Sequence, residues 1–385
     1  MKKTERLNVK YHDRLVGTMA LYKGRLAAFE YDREWLADGF SISPFSLPLE
    51  QRVFIPKTDP FDGVFGVFAD SLPDGWGRLL VDRLMLKNHI NPYEMGNLDR
   101  LAIVGQSGMG ALCYEPDFHF AVDETSLDLD EIAEECRRIL NTESAENLDE
   151  LFRLGGSSGG ARPKILTRVD GEDWIIKFPS SGDKEDIGRQ EYDYSVCARK
   201  CGIEMEETRL FPSKKCEGYF GTRRYDRKTG KSGKTERIHM LSVSAVLETS
   251  HRIPNLDYEI LMKLTLELTK DFEEVEKLYR LMCFNVFAHN RDDHSKNFTY
   301  LYNEKDDRWT LSPAYDLTYS YSLGGEHATT VHGNGKNPGT EDILAVADSI
   351  GMDKRKARRI ARQIRECVET ELEKYIRPCS QLYQT

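Results

Sequence analysis

A chain of 385 residues is long for one domain and suits two or three packed lobes. Its 54 Lys and Arg against 64 Asp and Glu give a formal charge of −10, which argues against a stand-alone nucleic-acid binder, because neutralising phosphates takes a basic footprint. No apolar run approaches the roughly 20 residues that cross a bilayer, and the opening MKKTERLNVKY carries no apolar stretch of the signal-peptide kind, so a soluble cytoplasmic protein is expected.

Residues 1–120 read as a strand-rich region. LNVKYHDRLVGTMALYKGRLAAFEY alternates apolar and polar residues, as half-buried strands do. GVFADSLPDGWGRLLVDRLMLKN breaks at Pro73-Asp74-Gly75 and continues as an amphipathic helix. LAIVGQSGMGALCYEP, with Gly105, Gly108 and Gly110, reads as strand-turn-strand; its GxxGxG order is not the dinucleotide fingerprint. Residues 121–150 hold eleven acidic residues and two arginines, with Leu127, Ile132, Cys136, Ile139 and Leu140 at helical spacing. This predicts a solvated helical connector.

Over 151–250, LFRLGGSSGGARPKILTRV and EDWIIKFP predict strand, glycine-rich loop, strand, turn and strand. A helix is expected from about Arg189 to Lys200, then strands with basic loops. Residues 251–385 read as helical, ending in the basic helix around Lys354–Arg362 with Ala357, Ile360, Ala361 and Ile364 turned inward. Strands first and helices after predict two lobes of one α+β catalytic domain. The eight cysteines (Cys113, Cys136, Cys197, Cys201, Cys216, Cys283, Cys367 and Cys379) form no CxxC pair. They are expected as reduced, mostly buried thiols, with neither a structural zinc nor a disulfide framework.

Three constellations bear on chemistry. Gly155-Gly156-Ser157-Ser158-Gly159-Gly160 makes a loop whose N–H groups can approach phosphate oxygens, although a plain flexible turn explains it as well and no Walker A ending follows. Lys177 lies in the apolar strand Trp174-Ile175-Ile176-Lys177-Phe178, where it either faces water at an edge or needs an anion. Glu191, fourteen residues on, is a candidate partner. The third is Asn290-Arg291-Asp292-Asp293-His294-Ser295-Lys296-Asn297. Asp292 and Asn297 stand at the D-x-x-x-x-N spacing with which protein kinases place a catalytic base and a metal-binding amide. A further carboxylate for Mg²⁺ is available at Asp316 in LSPAYDL, beyond a predicted FTYLY/RWTLS hairpin. A capped polar helix end, or a zinc or di-metal site from His289, Asp292, Asp293 and His294, are the competing readings. The five signals in one order point to a phosphotransferase using ATP and Mg²⁺.

The stretches SSGGARPK, WIIKFP, RRYDR, NRDDHSKNF and LSPAYDL resemble the HipA family of bacterial serine/threonine kinase toxins. FGVFADSLPDGWGRLLVDR and GMGALCYEP resemble that family's N-terminal domain, so the resemblance spans nearly the whole chain. It implies a bilobed, protein-kinase-like fold, with Asp292 as catalytic base, Asn297 and Asp316 as Mg²⁺ ligands, and Lys177 as the ATP-phosphate lysine. Ser158, Gly159, Gly160, Glu191, Met240, His294 and Lys296 fall in the implied nucleotide site, and Ser157 or Ser158 is the implied autophosphorylation site. The chain departs from the family at Arg162-Pro163-Lys164 before the strand, and its adenine hinge near Ile238–Leu241 matches poorly. The family precedent further implies a HipB-like helix-turn-helix antitoxin that supplies the DNA contacts, no membrane partner, and a translation-related substrate such as an aminoacyl-tRNA synthetase. A catalytically silent ATP-binding scaffold or co-repressor and a small-molecule or lipid kinase are the alternative functions.

Overall fold

A computed structural model of the chain describes residues 3–118, 128–143, 145–184, 186–230, 233 and 235–380. The fold is α+β and divides into two compact units, Met1–Glu185 with Phe211–Ser250, and Asp186–Leu210 with His251–Thr385. Among the described residues no helix is long and apolar enough to cross a membrane.

The first unit opens on a five-stranded antiparallel sheet in the order Val53–Phe54, Leu26–Tyr31, Arg14–Tyr22, Arg6–Tyr11 and Leu112–Glu115. Alternation puts Leu7, Val9 and Tyr11 on the buried face, where Tyr11 packs edge-on against Trp35 and Phe40 at centroid distances of 5.7 and 5.2 Å. A second antiparallel set, Lys164–Val169, Glu172–Lys177 and Tyr219–Arg223, follows.

Three expectations are corrected in this unit. LAIV ends the helix Asn97–Val104 and is not a strand. Its four residues are all buried, so no alternation marks them, and a short apolar run does not distinguish the two structures. Asp99 starts the helix by accepting from the Gly96 N–H at 2.9 Å. LFRL likewise lies in a helix, Leu148–Gly155, with Glu150 and Arg153 paired one turn apart at 2.6 Å. The acidic segment is no solvated connector. Its helix Leu129–Leu140, started by a reciprocal Asp128–Glu131 cap, buries Ile132, Cys136 and Ile139 against Trp76, Leu80, Ile165 and Phe178. Glu135 is buried too, accepting the Asn147 N–H at 3.0 Å, while Asp128, Asp130, Glu131 and Glu134 are exposed or half-exposed; Leu127 lies outside the described residues.

Asp226, in RRYDR, is the buried electrostatic centre of the unit. It accepts from Arg224 Nε at 2.9 Å, Arg227 at 2.8 Å and the Gly110 N–H at 2.7 Å. Arg237 donates to the carbonyls of Gly108 and Gly110 at 3.1 and 2.8 Å. The Gly105–Gly110 turn is thereby structural, its polar groups satisfied by this network.

The second unit holds the helices Ile187–Lys200, Tyr258–Thr269, Phe272–Phe287, Thr340–Ser349 and Lys354–Glu371, and the hairpin Thr299–Asn303/Arg308–Leu311 packs on the second and third of them. The hairpin and the inward positions Ala357, Ile360, Ala361 and Ile364 are as the pattern predicts. The long apolar run from 258 splits in two where Lys270 turns left-handed (φ 55°) and Asp271 caps the next helix.

Two histidines make stability pH-dependent. His239 donates from Nε2 to the Ile42 carbonyl at 2.8 Å, and burial pushes its pKa down to about 4. Burial, then the neighbouring Arg291, brings His289 down to about 4 as well. The unfolded chain, with histidine near 6.5, binds more protons than the folded one between these values. Stability is therefore full above about pH 6.5 and is lost as pH falls toward 4, by up to roughly 3 kcal/mol per histidine. Melting at pH 5 should lie well below that at pH 7, and His239→Gln should flatten the difference. An unchanged slope in that variant would remove His239 as a contributor.

Candidate functional site

The glycine-rich loop is built by two segments of the first unit pressed together. The Trp76 N–H donates to the Gly160 carbonyl at 2.9 Å, and the Gly160 N–H donates to Asp74 Oδ1. Gly75 (φ +43°) and Gly77 are required here, since a Cβ on either would drive into the carbonyl oxygen of Gly160 or Ser158. The N-terminal PDGWG motif thus holds SSGG in place. Ser158 is buried, with its hydroxyl donating to the Gly155 carbonyl at 2.6 Å. Ser157 is half-buried, and its hydroxyl donates to the Ser107 carbonyl at 2.9 Å. The Ser158 N–H is engaged by the Gly155 carbonyl at 3.0 Å, so with Gly160 on Asp74 two of the loop amides expected to face phosphate have protein acceptors.

Lys177 ends its strand directly opposite Lys164, so the two side chains share one face of the pair. Lys164 is buried, and its ammonium sits 2.7 Å from where a Gly160 Cβ would stand. The register thus sets two lysine side chains on one face, that of Lys164 against the glycine-rich loop. Lys177 also lies over the Phe220 ring at 5.5 Å. Lys164 closes the SSGGARPK stretch, and no motif assigns it a role of its own. Met240 opens the short strand Met240–Ser242, half-buried against Gly110.

The acidic constellation lies in the second unit, after the helix Phe272–Phe287. Asn290 ends that helix's polar turn, donating from Nδ2 to Asn285 Oδ1 at 2.9 Å. The two adjacent aspartates then part company: the Asp292 side chain is 62% exposed and that of Asp293 is wholly buried. Asp293 accepts from the Tyr258 hydroxyl at 2.8 Å, His327 Nδ1 at 2.9 Å and the Thr329 N–H at 3.2 Å. It anchors the loop and leaves Asp292 to face outward. Nothing near in sequence signals this role, because Tyr258, His327 and Thr329 are all more than 30 residues away.

Asn297 donates from Nδ2 to the Asp292 main-chain carbonyl at 2.6 Å. That bond fixes the amide and leaves Oδ1 as its acceptor for a cation. His294 accepts the Lys296 N–H at Nδ1, 3.2 Å, so its neutral form carries the proton on Nε2, 3.8 Å from Asp292 Oδ1. The Lys296 carbonyl accepts from the Tyr315 hydroxyl at 2.6 Å, and Tyr315 also meets Thr299 Oγ1 at 2.6 Å. Tyr315, which the sequence reading passed over, so locks PAYDL to DDHSKN. Asp316 follows it with φ 58°, a strained conformation for a residue with a Cβ. Glu191 is buried on the helix Ile187–Lys200, in the second unit, whereas Lys177 belongs to the first.

The donors Asn297 Oδ1 and the Asp316 carboxylate are hard oxygens of the kind Mg²⁺ accepts in small number, so the residues fit that ion. A zinc or di-metal site at 289–294 is not assembled: with Asp293 committed inward, His289, Asp292, Asp293 and His294 do not converge. Among the described residues, the one group of three or more metal-ligating side chains is Cys197, Cys201 and Cys367.

The family models describe both parts of the chain. The HipA N-terminal domain matches residues 7–115, and the HipA-like C-terminal domain matches residues 156–372. A protein of Sinorhizobium fredii (strain NBRC 101917 / NGR234) named "Putative kinase Y4mE" is 27% identical over 343 residues, covering 81% of this chain and 76% of its own length. A chain from the solved complex of the Shewanella oneidensis MR-1 toxin–antitoxin system, HipA, HipB and operator DNA, shares the fold: TM-score 0.70 at 16% identity, over 95% of this chain and 91% of that one. Since the C-terminal match alone takes in more than half of its residues, this chain belongs to the HipA family.

Proposed function

We propose that the chain is a cytoplasmic, ATP- and Mg²⁺-dependent protein serine/threonine kinase of the HipA toxin type. The observation that carries the reading is the division of labour at 292–297: an exposed Asp292 beside an Asn297 amide locked on its main chain, over a buried Asp293. Asp292 accepts the hydroxyl proton of the protein substrate. Asn297 and Asp316 hold Mg²⁺, which when bound neutralises charge on the transferring phosphates. Lys177, with Lys164 opposite it, binds phosphate oxygens, and Glu191 is a further residue of the nucleotide site. His294 orients Asp292, Lys296 lies beside the nucleotide, and Met240 faces adenine. The Gly-rich loop closes over the phosphates once Gly160 leaves Asp74.

A HipB-like antitoxin is the proposed partner, supported by the family and by the Shewanella complex. With a chain charge of −10, the DNA contacts would come from that partner. The proposed substrate is a translation-related protein, an aminoacyl-tRNA synthetase being the precedent implied by the resemblance.

The test is intact mass with phosphosite mapping after incubation with Mg²⁺-ATP. One phosphate is expected, on Ser157, because its hydroxyl is half-exposed while that of Ser158 is buried. A phosphoserine there adds about −1.5 to −2 charges to a loop meant to hold ATP phosphates, so the modified loop should detach and bind nucleotide poorly. Phosphate on Ser158 would contradict the assignment of the acceptor. None at all, with ATP demonstrably bound, would contradict the kinase.

A further inference from the structure

The helix Ile187–Lys200 packs against Lys354–Glu371 within the second unit. Cys197 lies in the last turn of the first helix, Cys201 caps it four residues later, and Cys367 faces them from the other. All three sulfurs lie within 4.8 Å of one another. Cys197 and Cys201 are buried and Cys367 is half-exposed, which gives the trio one open side. Polar contacts pin the same elements around it: Lys200 to Glu371 at 2.7 Å, Lys374 to Asp193 at 2.8 Å and the Tyr375 hydroxyl to Asp193 at 2.8 Å.

We propose that Cys197, Cys201 and Cys367 form a three-thiolate site for a thiophilic d¹⁰ cation, zinc or cuprous copper. Metal–sulfur bonds of about 2.3 Å need sulfurs roughly 3.8–4.0 Å apart, a spacing the trio reaches with little movement. Soft thiolates select such cations over Mg²⁺. A disulfide would use two of the three sulfurs and leave the third idle, whereas a metal uses all of them. Each S–H proton leaves to solvent as its sulfur–metal bond forms. The site is remote in sequence from 292–316 and independent of the kinase reading. It would clamp the helix that carries Glu191 to the basic helix.

The full chain, reduced, stripped by chelator and kept anaerobic, would be titrated with Zn²⁺ and separately with Cu⁺ against a chromophoric chelator. Native mass and thiol reactivity would be followed in parallel. One cation per chain is expected with at least one of the two metals, with three thiols protected from alkylation and a raised melting midpoint. Which metal wins identifies the cation. Cys367→Ala should weaken binding by at least about 100-fold, since even outer-shell partners of metal ligands cost roughly 10–100-fold. Cys216→Ala, half-buried in the other unit, should bind like the parent. Equal binding by Cys367→Ala, or no protection of thiols in the parent chain by either metal, would overturn the proposal. The second criterion stands even if the variant misfolds.

Discussion

Asn in place of Asp292 is expected to cut phosphoryl transfer, autophosphorylation included, by about 10²–10⁴-fold, the usual contribution of a positioned general base. Folding should be untouched. The side chain is largely exposed, and the loop is held by Asp293 through Tyr258, His327 and Thr329. Asn297 bonds to the main-chain carbonyl of residue 292, which the substitution preserves. Phosphate incorporation over time, paired with a thermal melt, reads both quantities. Full turnover in the variant would remove Asp292 as the base. Loss of activity together with several degrees of melting temperature would mean that its role is structural.

Asp226→Ala should destabilise the first unit by about 3–5 kcal/mol, the cost of taking one partner from a buried ion network. Arg224 and Arg227 would be left buried without their carboxylate, and the Gly110 N–H without an acceptor. Burial opposes ionisation of Asp226, but Arg224 and Arg227 outweigh it and hold its carboxyl well below the usual range. Its stabilisation is therefore fully present above about pH 4, the unfolded value, and persists until much stronger acid. Urea unfolding at pH 7 measures the loss. A change under 1 kcal/mol would show that the network is replaceable by water.

The candidate site was legible as motifs because its residues are local in sequence. DDHSKN and PAYDL each hold their spacing within a few residues, and a glycine-rich loop before an apolar strand with a lysine needs no tertiary information. What escaped notice was long-range. Which of two adjacent aspartates is exposed depends on Tyr258 and His327, each more than 30 residues away. The lysine pair across the strands depends on register, and the thiol trio joins residues 201 and 367. In the fold, the hairpin and the amphipathic helices followed from period alone. LAIV and LFRL did not, because a short buried helix and a short buried strand present the same apolar run. The acidic helix was misjudged by weighing charge over the three apolar residues that face the core.

The two units exchange chain three times, after residues 185, 210 and 250. On the ribosome this order has a cost in time. The helix Ile187–Lys200 is made long before the helix Lys354–Glu371 that covers it. At roughly 5–20 residues per second that wait is on the order of ten to thirty seconds. Throughout it Cys197 and Ala198, which end up buried, lack the cover of that helix. The nascent second unit therefore offers a sticky, thiol-bearing helix face to chaperones and oxidants until synthesis is nearly done. Translation pauses between residues 200 and 354 are where the yield of folded protein should be most sensitive.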